Sequence, residues 1–183
     1  MAAERVIENN VIRNRAILGY PDSHFIRRCR AGRGFGIVDV MLLPETGPHR
    51  IVLVEAKQSS SVDAQAKVIG QLLMYYAGVA HLGLQGLRYL REFARAHPKR
   101  ARDVSPKLLR SLTGGISPPD AAWAAMQRGR KLKPRQVALF VALDDRPTEG
   151  LKTTLSTLAE HHALDIGVVS VLARDKVEVW RAP

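Results

Sequence analysis

Gly36-Ile-Val-Asp-Val-Met-Leu-Leu43, the turn Pro44-Glu-Thr-Gly-Pro48, and Arg50-Ile-Val-Leu-Val-Glu-Ala-Lys57 form the stretch that decides the fold. Two apolar runs of strand length around a Pro- and Gly-containing loop predict an antiparallel hairpin. Each run carries one acid in an otherwise apolar pattern: Asp39 in the middle of the first, Glu55 near the end of the second, with Lys57 two positions on. Side chains two apart on a strand share a face, so Glu55 and Lys57 project together. Pairing through the 44–49 loop brings Asp39 within reach of that face. A carboxylate buried in such a strand is costly unless it is paired or holds a metal.

Upstream of the hairpin, residues 3–18 read as a helix, with Val6, Ile7, Val11, Ile12 and Leu18 near helical spacing and Gly19-Tyr20-Pro21 as its stop. Residues 24–30 form a short basic strand containing Arg27, Arg28 and Arg30, and Gly32, Gly34 and Gly36 mark a turn. Downstream, Ser59-Ser60-Ser61 offers an N-cap for a helix over 62–81. There Val68, Leu72, Tyr75, Tyr76 and Val79 make a buried stripe. Further helices are predicted over 84–96, 106–112 and 119–127. Core-like sequence returns as a strand at 137–143, a helix at 148–162, a buried strand at 166–172 and an edge strand at 176–180. Strands and helices in this order imply an α/β sandwich with a mixed sheet. The 183 residues suit one domain, with residues 83–136 as a basic helical insertion.

Charge singles out that insertion. The chain carries 28 Lys and Arg against 17 acids, a net charge of +11, and residues 83–136 hold nearly all of the excess. Such a balance favours a polyanion, nucleic acid being the commonest. Arg88, Arg91 and Arg95 recur at helical spacing as a stripe able to track phosphates. Lys99 and Arg100, then Arg128, Arg130, Lys131, Lys133 and Arg135, form further clusters, the last close enough to the strand at 137 to line the entrance of a cleft. A solvated basic helix surface is the plainer alternative. The single cysteine, Cys29, excludes an internal disulfide and reads as a structural thiol. No secretory h-region and no apolar window of membrane length are seen, which predicts a soluble cytoplasmic protein with no membrane partner.

Two acids and a lysine converging on one point suit phosphodiester hydrolysis. Neighbouring carboxylates raise each other's pKa, and a divalent cation between them removes the repulsion. Hard oxygen ligands hold Mg²⁺, with water at the remaining positions. The metal polarises the phosphate and generates hydroxide, while a nearby cation offsets developing charge. Lys57 would orient or deprotonate the water, or stabilise the pentacovalent transition state; the residues leave these roles open.

Gly36-Ile-Val-Asp39, Val52-Leu-Val-Glu55-Ala-Lys57 and Gln71-Leu-Leu-Met-Tyr75 together resemble the PD-(D/E)xK nuclease superfamily, which includes type II restriction enzymes, archaeal Holliday-junction resolvases and NucS-type mismatch endonucleases. The resemblance spans roughly residues 4–80, with Val38 in place of the nominal proline. It implies a restriction-endonuclease-like αβββαβ core and a Mg²⁺-dependent DNA endonuclease, with Mn²⁺ as a substitute metal and a role in repair or defence. It further implies that Asp39, Glu55 and the Ala56 carbonyl bind metal, that Lys57 completes the E-x-K pair, and that Gln71 and Tyr75 brace the site. The opening helix would add a glutamate, Glu8 in preference to Glu4. Cutting both strands needs two sites, which is compatible with a homodimer.

Other features carry less. Gly32-Arg33-Gly-Phe-Gly36 precedes a strand instead of opening a helix, so it reads as a turn, although Arg33 can touch a DNA backbone. His161-His162 has no metal-ligand spacing and reads as a helix-surface pair. The competing readings of the whole are an inactive DNA-binding module of the same fold, a nuclease acting on RNA, and a buried Asp39–Lys57 ion pair with Glu55 exposed.

Overall fold

The computed structural model describes residues 2–31, 34–59, 66–80, 103–113 and 132–183. Helix α1 (Ala2–Arg13) leads into β1 (Ser23–Arg30), β2 (Ile37–Pro44) and β3 (Ile51–Lys57). Next come α2, over residues 66–80, and α3 (Pro106–Thr113). A 3₁₀ turn (Pro134–Gln136) enters β4 (Val137–Leu143), followed by α4 (Glu149–His162), β5 (Asp165–Ala173) and β6 (Lys176–Arg181). The six strands form one sheet in chain order. β1–β2–β3 are antiparallel, β3–β4–β5 parallel, and β6 antiparallel to β5. The expected α/β class with a mixed sheet holds, and so does the hairpin.

Why the central strands read as unbroken apolar runs is clear from their position. Every residue of β4 is buried, because helices cover both faces of the sheet. One face packs on α2 through Val68, Leu72, Tyr75 and Val79, on α3 through Leu108, and on α4 through Leu151, Leu155 and Ala159. Each such side chain contributes roughly 1.5–3 kcal/mol by leaving water. The other face packs on α1 through Ile7, Val11 and Ile12. α4 is capped by Thr148, whose side chain accepts the Leu151 N–H, and His161 and His162 lie exposed in its last turn.

The opening helix is shorter than its apolar spacing predicts. α1 stops at Arg13 instead of running to residue 18. Asn10 and Asn14 turn their side-chain amides back on the Val6 and Asn10 carbonyls, and two turns, Ile17 N–H to Asn14 O and Gly19 N–H to Ala16 O, follow. Leu18 is still buried, from the turn and not from the helix. The predicted helices over 84–96 and 119–127 lie outside the described residues, as does the start of the one placed at 62–81. Cys29 is fully buried, and burial pushes its thiol up to about 12, which keeps it inert.

A polar clasp ties the chain ends across one end of the sheet. Arg181 donates to Asp165 (2.7 Å), to the Leu18 carbonyl (2.9 Å) and to the Tyr20 hydroxyl (3.2 Å), and it lies over the Phe140 ring. His49 joins Tyr20 and Asp165 at 3.1 and 2.8 Å. Arg181→Ala removes the three hydrogen bonds and the ring contact of Arg181 at once, and a loss of about 2 kcal/mol is expected from stranded partners. Thermal unfolding should then shift down by roughly 4–8 °C, and an unchanged melting temperature would show the clasp to be idle.

Candidate functional site

A defect shared by β1 and β2 builds the site. Val38 and Val40 are two apart yet pack into opposite core layers, and Ile26 and Cys29 are three apart yet share one layer. Regular strands do neither. The break falls at Arg28, whose φ of 47° is left-handed, opposite Asp39 between the pairs Arg27↔Val40 and Cys29↔Val38. The β2–β3 pairing also ends at Val40↔Val54. Beyond that point the Ala56 N–H donates to the Asp39 side chain, Oδ2 at 3.0 Å. A carboxylate oxygen thus takes over where backbone pairing stops, and this fixes Asp39 beside Glu55.

Asp39, Glu55, Lys57, Gln71 and Tyr75 line one cavity of about 340 Å³, with Glu4, Arg28 and Ile37. Five of the residues singled out in the sequence therefore meet. Glu55 is nearly inaccessible at 2%. Its Oε1 lies 3.1 Å from Lys57 Nζ, and its Oε2 accepts the Tyr75 hydroxyl at 3.1 Å. The alternative with Glu55 exposed and Asp39 paired to Lys57 is overturned: Glu55 is buried and takes the lysine itself. Burial first, and Asp39 second, push the Glu55 carboxyl up to about 7 against the pull of Lys57. Burial works against the Lys57 ammonium, but Glu55 and Glu4 outweigh it and raise Lys57, so the lysine is cationic at neutral pH. Tyr75 is driven well above the ordinary phenol range, by burial and then by Glu55, and stays a proton donor. Gly36 makes room for it: a Cβ there would lie 2.6 Å from the Tyr75 ring.

Of the two glutamates of the opening helix, Glu4, and not the preferred Glu8, lines the cavity. Glu4 approaches Lys57 at 3.6 Å. Glu8 is 2% exposed and pairs with Arg28 (3.2 Å) and Arg27 (3.6 Å). Burial, then Asp39, raise its carboxyl, and the arginines oppose them. Arg28 is the residue the sequence reading did not assign to the site; three arginines in one strand were the signal.

The basic clusters fare differently. Lys133 and Arg135 are exposed around the turn that enters β4, where Val137 pairs with Ile51. Lys57 is at the other end of the same parallel ladder, beside Leu143, about 20 Å away at strand rise. They do not line the cleft entrance, because parallel strands put the start of β4 beside the start of β3. Arg33, Arg88, Arg91, Arg95, Lys99, Arg100, Arg128, Arg130 and Lys131 lie outside the described residues.

Among the described residues, no three His, Cys, Asp or Glu side chains converge as a ready metal cage. What is present is a pair of adjoining carboxylates, one of them raised to about 7 by burial and then by the other. That pair fits a hard cation that draws its remaining ligands from backbone carbonyl and water. No helix among the described residues is long and apolar enough to cross a membrane. No protein-family model, curated protein or solved structure matches the chain.

Proposed function

We propose that this chain is a Mg²⁺-dependent nuclease of the PD-(D/E)xK type, with a restriction-endonuclease-like core, that hydrolyses phosphodiester bonds in DNA. The observation that carries the reading is the placement of Asp39 beside Glu55 through the Ala56 N–H, with Lys57 on the same carboxylate. A structural ion pair has no use for a second acid that repels the first.

Asp39 and Glu55, with the Ala56 carbonyl, would hold the ion, and Glu8 or Glu4 would steady its water shell. When bound, Mg²⁺ supplies Lewis acidity to the phosphate and acidifies a water. The chain's own groups do the rest. Tyr75 holds Glu55 in place by its hydroxyl, and Gln71 in turn bonds Tyr75. Of the three roles open to Lys57, its charged state favours electrostatic support of the phosphate oxygens over proton abstraction, since an ammonium has no lone pair to accept a proton. The basic segment 83–136 would grip the duplex backbone, each phosphate contact steepening the salt dependence by about one counterion.

The test is incubation of the purified protein with plasmid, branched DNA or RNA in the presence of Mg²⁺. Cleavage of DNA that EDTA stops and that Asp39→Ala lacks is the expected result. Cleavage confined to RNA changes the substrate; identical products from wild type and Asp39→Ala would remove the assignment.

A further inference from the structure

Among the described residues, Arg28 is the one cation of the cavity that the mechanism above leaves without a task. Its left-handed φ of 47° is unfavourable for any residue with a Cβ. What that conformation achieves is aim. Nη2 lies 3.2 Å from Glu8 Oε1 and 4.0 Å from Asp39 Oδ1, and the side chain lines the cavity with Glu55 and Lys57. It is nevertheless 45% exposed, against 24% for Lys57. Lys57, by contrast, sits in regular parallel pairing with Leu143 and is held by Glu55 and Glu4 together.

We propose that Arg28 is a displaceable counter-ion: it neutralises Asp39 and Glu8 in the empty site and leaves them for an incoming phosphate, so that divalent-ion and phosphodiester binding reinforce each other. The ligands are those of the function proposed above, and the inference rests on it. A guanidinium beside Asp39 repels a doubly charged ion entering the same carboxylates. The planar fork of an arginine also matches phosphate oxygens in a charge-assisted, two-point contact, and its exposed side is the side from which a phosphate arrives. Once the fork has turned outward, Asp39 loses its guanidinium, Glu8 keeps only Arg27, and the carboxylates take the ion more tightly. By linkage, the ion must favour the phosphate by the same factor. Arg28 is on this account a positioning residue for charge, not a metal ligand.

Calorimetric titration of Ca²⁺ into the metal-free protein tests this, with and without a short DNA duplex. Arg28→Gln is expected to bind Ca²⁺ about tenfold more tightly than wild type in the absence of DNA, and Arg28→Lys to stay near wild type. The duplex should tighten Ca²⁺ binding by wild type and much less by Arg28→Gln. Arg28→Gly suits the left-handed backbone, which offsets part of the cost of leaving Glu8 without this partner, and it should show the same gain in Ca²⁺ binding, a result no purely structural role produces. Equal or weaker Ca²⁺ binding by Arg28→Gln overturns the proposal. If wild type binds Ca²⁺ and Asp39→Asn does not, the metal site survives that failure; if neither binds, the metal site falls as well.

Discussion

Lys57→Met should cut the rate of Mg²⁺-dependent cleavage by about 10²–10³-fold, the loss typical of removing one preorganised group from developing charge. The methionine keeps the length of the side chain and removes only the ammonium. Lys57 is protonated because Glu55 at 3.1 Å and Glu4 at 3.6 Å outweigh its burial, so it works as a fixed positive charge. Two readouts separate this from a loss of structure. Ca²⁺ should bind Lys57→Met at least as tightly as wild type, since a cation has left the site. The acid limb of the surviving activity should move to higher pH, because the pull of Lys57 on the Glu55 carboxyl is gone, and no other limb should change. The loss of a separate limb in the variant would return Lys57 to the role of base.

Glu55→Gln should abolish cleavage and make the metal-free protein more stable at neutral pH. The folded carboxyl is raised to about 7, by burial and then by Asp39, from an ordinary value of 4.5. Below pH 4.5 the group is protonated in folded and unfolded chains alike, and the substitution changes little. Between 4.5 and 7 the unfolded chain gives up the proton while the folded one keeps it, so wild type loses stability as pH rises. Above pH 7 the loss is complete. Glutamine retains an acceptor for the Tyr75 hydroxyl and for Lys57, though Lys57 forfeits a full charge partner. The net gain is then about 1–3 kcal/mol above pH 7. Melting curves of both proteins at pH 4 and pH 8 would show it: coincident at the lower pH, the variant higher by roughly 3–8 °C at the other. A variant that melts lower at pH 8 would mean that the Lys57 pair outweighs the cost of the buried charge.

Much of this site was legible in the sequence because its parts obey short-range rules. Glu55 and Lys57 share a face by strand alternation, and Gln71 and Tyr75 share one by helical spacing. Asp39 announced itself as an acid in an apolar run. What alternation could not predict was the break at residues 27–29 and 38–40, since the left-handed turn at Arg28 carries no glycine to signal it. That break decides where β2 stops pairing with β3 and hands the Ala56 N–H to Asp39. Register along the sheet was equally hidden. Lys133 and Arg135 are close to β4 in sequence, but only the parallel ladder reveals that they enter it at the end remote from Lys57. The shortening of α1 was hidden too: past Arg13 the backbone closes tighter turns at Ile17 and Gly19, which apolar spacing does not register.

The antiparallel links β1–β2, β2–β3 and β5–β6 are brief, and the parallel link from β4 to β5 is a crossover through the single helix α4. The link from β3 to β4, over residues 58–136, is much longer: it departs next to the carboxylates and rejoins at the opposite end of the neighbouring strand. Extending such a link is cheap, about 0.6 kcal/mol for each doubling. If the chain is the nuclease proposed above, its descendants could exchange the part of this link after α2 while Gln71 and Tyr75 on α2 stay with the carboxylates.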